Sequence, residues 1–308
     1  MKKILFLVFC LTAIFARGQQ IPQSSLYFIN DFALNPAIAG SKSYMPILLS
    51  HRTQWANFKN APSTQTFSVH GNLNQQGAGI HVVNTLTGPT GILSAQVAYS
   101  YQIKLNESNK LSFGIAPQFI QYSLAKEKLK LDESNDLTFN RSNARTNIFD
   151  ASSGLYLQGK KYSLGLSAAQ LLGSRFRKGD DLIKERLRRH FVLTANYDFT
   201  ITDKICLSPI VMAKALESGA PYQLDANLKI SFSDVFWTGL GYRASISEFP
   251  GDAAIIFMGI QKSSFVFAYG FDYSFSSMMP FTFGSHEVLL SYRFNKKKKS
   301  EGTSLPMN

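Results

Sequence analysis

The stretch FVFAYGFDYSF, residues 265–275, decides the fold class of this chain. Successive side chains of a β-strand point to opposite faces, so this stretch puts aromatic side chains on one face and small or polar ones on the other. The aromatic set is Phe265, Phe267, Tyr269, Phe271, Tyr273 and Phe275. Such a face would aggregate in water, whereas it suits the acyl chains and headgroup boundary of a bilayer. The stretch therefore predicts a lipid-facing strand.

The same alternation recurs along nearly the whole chain after residue 43 and marks about fourteen segments. They lie near residues 44–51, 64–73, 77–85, 91–103, 109–122, 147–158, 161–171, 187–199, 203–216, 221–232, 234–246, 252–261, 263–275 and 285–294. Many are close to the roughly 9–11 residues that cross an outer membrane as a strand. We therefore expect an all-β fold, namely a transmembrane antiparallel up-and-down β-barrel of about fourteen strands, with the N-terminal segment near or inside it.

The lengths of the connections support a barrel over a soluble β-sandwich. Every second connection is tight, whereas several of the others are long: residues 52–63, 123–146, 172–186 and 276–284. Outer-membrane barrels have short periplasmic turns and longer external loops, and a soluble sandwich has no reason to alternate in this way. Charged residues make up only 17% of the chain, below the roughly 25% of a typical soluble domain. The pattern predicts an outer-membrane location with both termini in the periplasm.

The two ends of the chain predict export and a polar tail. Residues 1–18 combine Lys2 and Lys3 with a short apolar run and small residues before a cleavage point, which is typical of a signal peptide. We divide the rest into a periplasmic or plug segment (19–43), the barrel (44–294) and a basic periplasmic tail (295–308). That tail contains Lys296 to Lys299; it is either a solvated polar end or a contact with anionic lipid or a periplasmic partner.

The sequence predicts no enzyme, cofactor or metal site. Neither a GxSxG nor an HExxH pattern occurs, and no Walker loop or CxxC pair is present. His70 and His81 would oppose each other if the second hairpin turned at residues 75–76, but two ligands are too few for a closed zinc site. The net charge of +12 forms no basic stripe interleaved with aromatic residues, so nucleic acid is not an expected partner.

Polar residues on the inward faces of the predicted strands form a set of their own. The set is Asp225, Asn227, Lys229, Arg243 and Asp272. We expect opposite charges on neighbouring strands to neutralise each other across the lumen, and the alternative is a polar conduction path for a solute. His190 and His286 are the residues on which an outer-membrane hydrolase would depend, although no serine with suitable spacing accompanies either one.

A set of short motifs, in order along almost the whole chain, resembles the PorP/SprF family of outer-membrane proteins. The motifs are Asn35-Pro36-Ala37 with Ala39-Gly40; Arg52, Gln54, Trp55, Phe58, Ala61-Pro62 and Thr64; Thr87-Gly88; Trp237, Gly239 and Tyr242-Arg243; and Ser285-His286-Glu287 before Leu290, Tyr292 and Phe294. The resemblance implies an accessory barrel of the type IX secretion system of Bacteroidota. Its implied partners are the secretion components and a secreted surface protein with a C-terminal targeting domain, such as a gliding adhesin.

Two groups of these motif residues have a physical interpretation. Asn35-Pro36 favours an extended or turn conformation and Gly40 permits a positive φ, which suits a rigid plug in the barrel mouth. Arg52, Trp55 and Phe58 fall on the predicted first external loop. Trp and Arg are enriched in binding hot spots, so this loop either contacts a partner or tucks inward and packs the lumen. A passive or substrate-specific pore stays open as an alternative function.

Overall fold

Fifteen strand segments form one antiparallel sheet that closes on itself in a computed structural model of the protein. The structure describes residues 21–125, 145–175, 186–217, 222–233, 235–245, 248–275 and 279–294. The segments are β1 (Met45–Thr53), β2 (Ser63–Leu73), β3 (Gln76–Thr87), β4 (Thr90–Lys104), β5 (Lys110–Leu124), β6 (Arg145–Gln158), β7 (Tyr162–Ala169), β8 (His190–Tyr197), β9 (Phe199–Thr202), β10 (Ile205–Leu216), β11 (Gln223–Phe232), β12 (Phe236–Ser245), β13 (Glu248–Lys262), β14 (Phe265–Ser274) and β15 (Ser285–Phe294). Within the described ranges, no helix has the length and apolar character needed to cross a bilayer.

The sheet is a closed barrel of fourteen strands. β8 and β9 are separated by Asp198 alone and both pair with β10, so they are two segments of one strand. The other neighbours follow chain order, and β15 pairs with β1 from Met45 opposite Phe294 to Thr53 opposite His286. The predicted fold class and strand count are therefore confirmed.

Alternation of side chains gives the wall one apolar outer face and one inner face. On β14, Val266 and Ala268 point inward and are buried, whereas Phe265 and Phe267 are about half exposed on the outside. The outward residues of the wall meet lipid, and the inward residues line a core inside the barrel. This is the arrangement that the alternation of residues 265–275 predicts.

The connections divide the barrel into two ends. We call the end with residues 74–75, 105–109, 159–161, 203–204, 233–235 and 263–264 the short-turn end. The opposite, long-loop end has the connections 54–62, 88–89, 125–144, 170–189, 217–222, 246–247 and 275–284. The 88–89 and 246–247 connections contain only two residues each, so this end has short connections as well as long ones.

The register that would place His70 opposite His81 does not occur. The β2–β3 turn consists of Asn74 and Gln75, with Leu73 opposite Gln76. Asn74 has a φ of 69°, a left-handed conformation that Asn adopts more readily than most residues. The turn therefore lies one residue earlier than residues 75–76, and His81 faces Ser68 instead of His70.

Residues 21–44, which we call the inner segment, fill the barrel. They contain two 3-10 helices, Asp31–Ala33 and Pro36–Ile38, and their buried side chains pack against the inward faces of the strands. The buried set is Leu26, Tyr27, Phe32, Ala37, Ile38 and Ala39. The N-terminal segment thus lies inside the barrel, as the sequence predicts.

The inner segment runs from the long-loop end to the short-turn end. Gln23 contacts Gln223 at the start of β11, whereas the Gly40 carbonyl accepts a hydrogen bond from Asn72 beside the 74–75 turn. Phe294 lies at the short-turn end, so the described chain begins and finishes at opposite ends of the barrel. The predicted signal peptide, the basic tail and the two termini lie outside the described residues.

Candidate functional site in the barrel interior

The Asn35-Pro36 motif shapes the inner segment at its second 3-10 helix. The Asn35 side-chain oxygen accepts a hydrogen bond from the Ala37 N–H at 2.9 Å, and its Nδ2 donates to the Leu155 carbonyl of β6 at 2.8 Å. Pro36 opens the helix, where its missing N–H has no helical partner to lose. These residues fix the conformation of the inner segment and tie it to the wall.

Gly40 of the inner segment packs closely against β2 and β3. Its φ is 69°, and an added Cβ would lie 2.7 Å from Gly77 Cα of β3. Its N–H donates to His70 Nδ1 at 3.1 Å, so His70 acts as a hydrogen-bond acceptor for the inner segment. Only glycine combines this backbone conformation with this close approach.

Inward-facing glycines of the wall make room for the inner segment. A Cβ on Gly77, Gly114 or Gly154 would overlap Ala39, Ala37 or Asn35 respectively. Sequence reasoning missed these three residues, because a glycine in a strand marks a close backbone approach without naming what approaches.

Five charged side chains from five strands form an ion network near the long-loop end. They are Arg52 (β1), Asp225 (β11), Arg243 (β12), Asp272 (β14) and Glu287 (β15), and each is buried. Arg52 lies 2.7 Å from Asp272 and 3.5 Å from Glu287, and Arg243 lies 2.9 Å from Asp225 and 2.8 Å from Asp272. Opposite charges do neutralise each other across the lumen, as expected, but Lys229 takes no part in these pairs.

The inner segment is anchored to this network by two serines. Ser24 Oγ donates to Glu287 at 2.6 Å, and Ser25 Oγ donates to Asp272 at 2.5 Å. The Ser25 hydroxyl also accepts hydrogen bonds from Arg52 and Arg243, both at 3.1 Å, while its backbone N–H donates to Glu287. Sequence reasoning missed both serines, since a Ser-Ser pair before the first strand carries no signal of burial.

The prediction that Arg52 lies on the first external loop is wrong. Arg52 belongs to β1, because that strand continues to Thr53 and pairs there with β15. Its side chain is buried on the inner face of the barrel. The connection that follows, residues 54–62, contacts the 275–284 connection and the start of β15. The Ala56 N–H donates to the Gly284 carbonyl, and the Trp55 N–H donates to Ser285 Oγ. Phe58 is 44% exposed on this connection.

A cavity of about 640 Å³ lies between the inner segment and the wall at the long-loop end. Gln54, Trp55 and Pro62 line it together with Arg52 and Pro36. Trp55 has a φ of 52°, which is uncommon for a bulky residue. Five of the motif residues between positions 52 and 64 therefore line one cavity, namely Arg52, Gln54, Trp55, Pro62 and Thr64, whereas Phe58 is not part of its lining.

Two further motif residues, Trp237 and His286, lie away from this cavity. Trp237 is at the short-turn end, where its ring packs edge-on against Phe28 of the inner segment at 5.8 Å and near Phe257 at 6.1 Å. His286 faces outward on β15, and its Nδ1 lies 2.6 Å from the Tyr269 hydroxyl. The structure thus separates Trp237 and His286 from each other and from the ion network.

Two titratable groups of the inner segment have shifted pKa values. Burial, together with the nearby Asp225 carboxylate, raises the pKa of the Tyr27 phenol above its usual range. Burial lowers the pKa of Lys42, but the Asp31 carboxylate at 2.8 Å outweighs this effect and holds that pKa above its usual range. Tyr27 is therefore neutral and Lys42 charged at neutral pH. Within the part of the chain that is described, no cluster of three metal-ligating side chains occurs.

Comparisons with known proteins identify both a family and a fold. The chain matches the family described as "Type IX secretion system membrane protein PorP/SprF" over residues 16–292. This family is not a catalytic one. None of the curated proteins matches it.

Among solved structures, the toluene transporter TodX of Pseudomonas putida is similar at 8% identity, with 89% of this chain and 94% of that chain covered and a TM-score of 0.51. The TodX deltaS2S3 mutant, a monoaromatic hydrocarbon channel, is 8% identical, with 89% of this chain and 95% of that chain covered and a TM-score of 0.51. A FadL homologue of Pseudomonas aeruginosa is 11% identical, with 90% of this chain and 95% of that chain covered and a TM-score of 0.49. The two TodX structures share the outer-membrane barrel fold with this chain, and at these identities the likeness extends to the fold alone.

Proposed function

The chain belongs to the PorP/SprF family of type IX secretion system membrane proteins, and we propose that it is a non-enzymatic accessory barrel needed to secrete a partner protein or to hold it at the cell surface. Membership implies association with type IX secretion components. The proposed client is a secreted surface protein with a C-terminal targeting domain, such as a gliding adhesin. Both the client and the external position of the long-loop end belong to the proposal.

The filled lumen is the observation that carries the proposal beyond family membership. The inner segment crosses the barrel and is tied to the wall at both ends, by Ser25 in the ion network and by Gly40 beside the 74–75 turn. A lumen filled in this way favours an anchor over an open channel, because a passive pore needs a water-filled path.

We assign the motif residues two kinds of role. Arg52, Arg243 and Glu287 hold the inner segment through the ion network, and Asn35, Pro36 and Gly40 shape that segment; Trp237 packs on it from the wall. Gln54, Trp55, Phe58 and Pro62 belong to the connection at the long-loop end and are the proposed partner contact. Phe58 is the best single candidate because it is a large aromatic side chain on a connection and it is 44% exposed.

Deletion of the gene tests the proposal directly. We expect one or a few surface proteins to disappear from the cell surface or to accumulate unsecreted, and the wild-type gene to restore them. Complementation with Phe58→Ala should restore less of the client than complementation with Leu105→Ala, which removes an exposed side chain at the short-turn end. An unchanged secretome and cell surface after deletion would contradict the proposal.

The 640 Å³ cavity favours a pore as the second candidate function, because it leaves part of the lumen open. Conductance in planar bilayers separates the two functions. An accessory barrel should be closed as purified and should conduct after deletion of residues 21–40, which takes out most of the inner segment. Steady conductance of the intact protein, blocked by a specific solute, would favour the pore.

A further inference from the structure

A second cavity, of about 380 Å³, lies inside the barrel at the short-turn end. Three cationic side chains line it: Lys42 from the inner segment, Lys229 from β11 and Arg293 from β15. Of the described residues that line this cavity, none carries a carboxylate. Its lining therefore has one sign of charge, unlike the ion network at the other end.

The cationic side chains at the two ends of the lumen differ in their ion pairs. Arg52 and Arg243 are each within ion-pair distance of two buried carboxylates. At the short-turn end, Lys42 pairs with Asp31, but neither Lys229 nor Arg293 forms an ion pair with any carboxylate among the described residues. Asp198 lines the adjoining cavity with Lys229, where its carboxylate accepts a hydrogen bond from Ser208 at 2.6 Å. Two half-buried cations thus face the cavity without a direct ion pair, and Asp198 acts on Lys229 only from the adjoining cavity.

Each of these two strands adds a hydroxyl beside its cation. Lys229 and Ser231 are two residues apart on β11, and Ser291 and Arg293 are two residues apart on β15, so each pair shares the inner face of its strand. All four residues line the cavity. The Arg293 guanidinium carbon lies 4.9 Å from the centre of the Tyr44 ring, a cation–π contact that restrains the side chain beside the cavity.

We propose that this cavity binds an anion that carries a phosphate group. Arginine and lysine donors with neighbouring hydroxyls are the groups that proteins use for phosphate, arginine as a planar fork and lysine as a point charge. The volume lies within the roughly 300–1,000 Å³ range of small-molecule sites. Phe28 and Trp237 provide an apolar wall for the non-phosphate part of the ligand. The source is either a phosphorylated solute or the phosphate of a lipid headgroup, and this site is independent of the proposed secretion role.

A fluorescence titration tests the proposal with two probes. The chain has two tryptophans, and Trp237 lines the cavity, so Trp55→Phe leaves it as the reporter. The protein in nonionic detergent at low salt is titrated with inorganic phosphate and with dihexanoyl phosphatidic acid. We expect a saturable change in Trp237 emission that weakens at high salt, because screening reduces the attraction. Tighter binding of the lipid assigns the site to a headgroup, and tighter binding of inorganic phosphate assigns it to a solute.

Charge-removing variants locate the site. Lys229→Gln and Arg293→Gln should each weaken binding of the preferred probe tenfold or more, and Arg293→Lys should lose less. Lys110→Gln is the matched control, because it removes one exposed charge at the same end outside the cavity. The absence of saturable binding of either probe to the parent protein would overturn the proposal, even if a variant failed to fold. The proposal would also be overturned if the Lys229 and Arg293 variants bound the probe as the control does. Tighter binding of a tetraglutamate peptide than of both phosphate probes would overturn it as well.

Discussion

Arg52 and Asp272 are 220 residues apart in the sequence, yet the arginine Nη2 lies 2.7 Å from the aspartate Oδ2 in the barrel interior. Asp272 also accepts from Arg243 and from Ser25. The Asp272 carboxylate therefore links β1, β12 and the inner segment. This relationship places the family's Arg52 and Arg243 motif positions in one structural unit, and it makes Asp272 the position where a single change affects most of that unit.

Asp272→Asn should destabilise the barrel strongly. The neutral amide leaves Arg52 and Arg243 buried with less counter-charge, and breaking a buried ion pair from one side costs about 3–5 kcal/mol. The free energy of unfolding is measured by urea titration in detergent, followed by the change in gel mobility between folded and unfolded barrel. Asp203→Asn, on an exposed turn, is the matched control and should have no measurable effect. Equal stability of the two variants would contradict a structural role for the network.

Ser25→Ala should loosen the inner segment while leaving the wall intact. The change removes one donor to Asp272 and one acceptor for two arginines, and an unsatisfied buried group costs about 1–3 kcal/mol. Since about 1.4 kcal/mol corresponds to a factor of ten, amide hydrogen exchange over residues 24–34 should accelerate roughly tenfold. Ser43→Ala changes an exposed serine of the same segment and should leave exchange unaltered. The explanation fails if exchange in the barrel strands accelerates equally.

Gly114→Ala should displace the inner segment. Its Cβ would overlap the backbone of Ala37, which cannot move as a flexible side chain does. We expect a loss of about 1–3 kcal/mol, the usual cost of overpacking, together with increased conductance in planar bilayers. Gly71→Ala is the comparison, because the nearest atom to its Cβ would be the Met45 sulfur at an ordinary contact distance of 3.5 Å. Similar behaviour of both variants would show that the inner segment does not rest on Gly114.

Labelling of intact cells tests which end of the barrel faces outward. In a Cys206→Ser background, Phe58→Cys should react with a membrane-impermeant maleimide, because Phe58 is exposed at the proposed external end. Leu105→Cys replaces a residue that is 54% exposed at the short-turn end, and it should react only after the outer membrane is permeabilised. The reverse pattern would invert the proposed orientation of the barrel.

The wall of the barrel was predictable because its signal is local. Each strand is recognised by the alternation of apolar and polar residues over about ten positions. The aromatic face of residues 265–275 predicts lipid contact without reference to the neighbouring strands. The tight second, fourth and later connections follow from the same spacing. The β2–β3 register stayed open because it depends on the left-handed conformation of Asn74, and alternation does not distinguish between two adjacent turn positions.

The site was predictable only in part. The opposite charges of Asp225, Arg243 and Asp272 on inward faces indicated neutralisation, and the structure contains those pairs. Arg52 was assigned to a loop because the sequence does not show where β1 ends. Ser25 was missed because its burial arises from contacts with Asp272 and Arg243, both more than 200 residues away.

The amino-acid sequence by itself determined that this chain is a barrel of alternating strands, since a period of two acts within each strand. It also determined that the chain is a member of its family, through motifs that can be read in order. Only the tertiary structure decided the path of the inner segment, the joining of Arg52 and Asp272, and the collection of cations around the short-turn cavity. Closure of the sheet brings distant strands to face one lumen, and which side chains meet there depends on the register of every pair of strands between them.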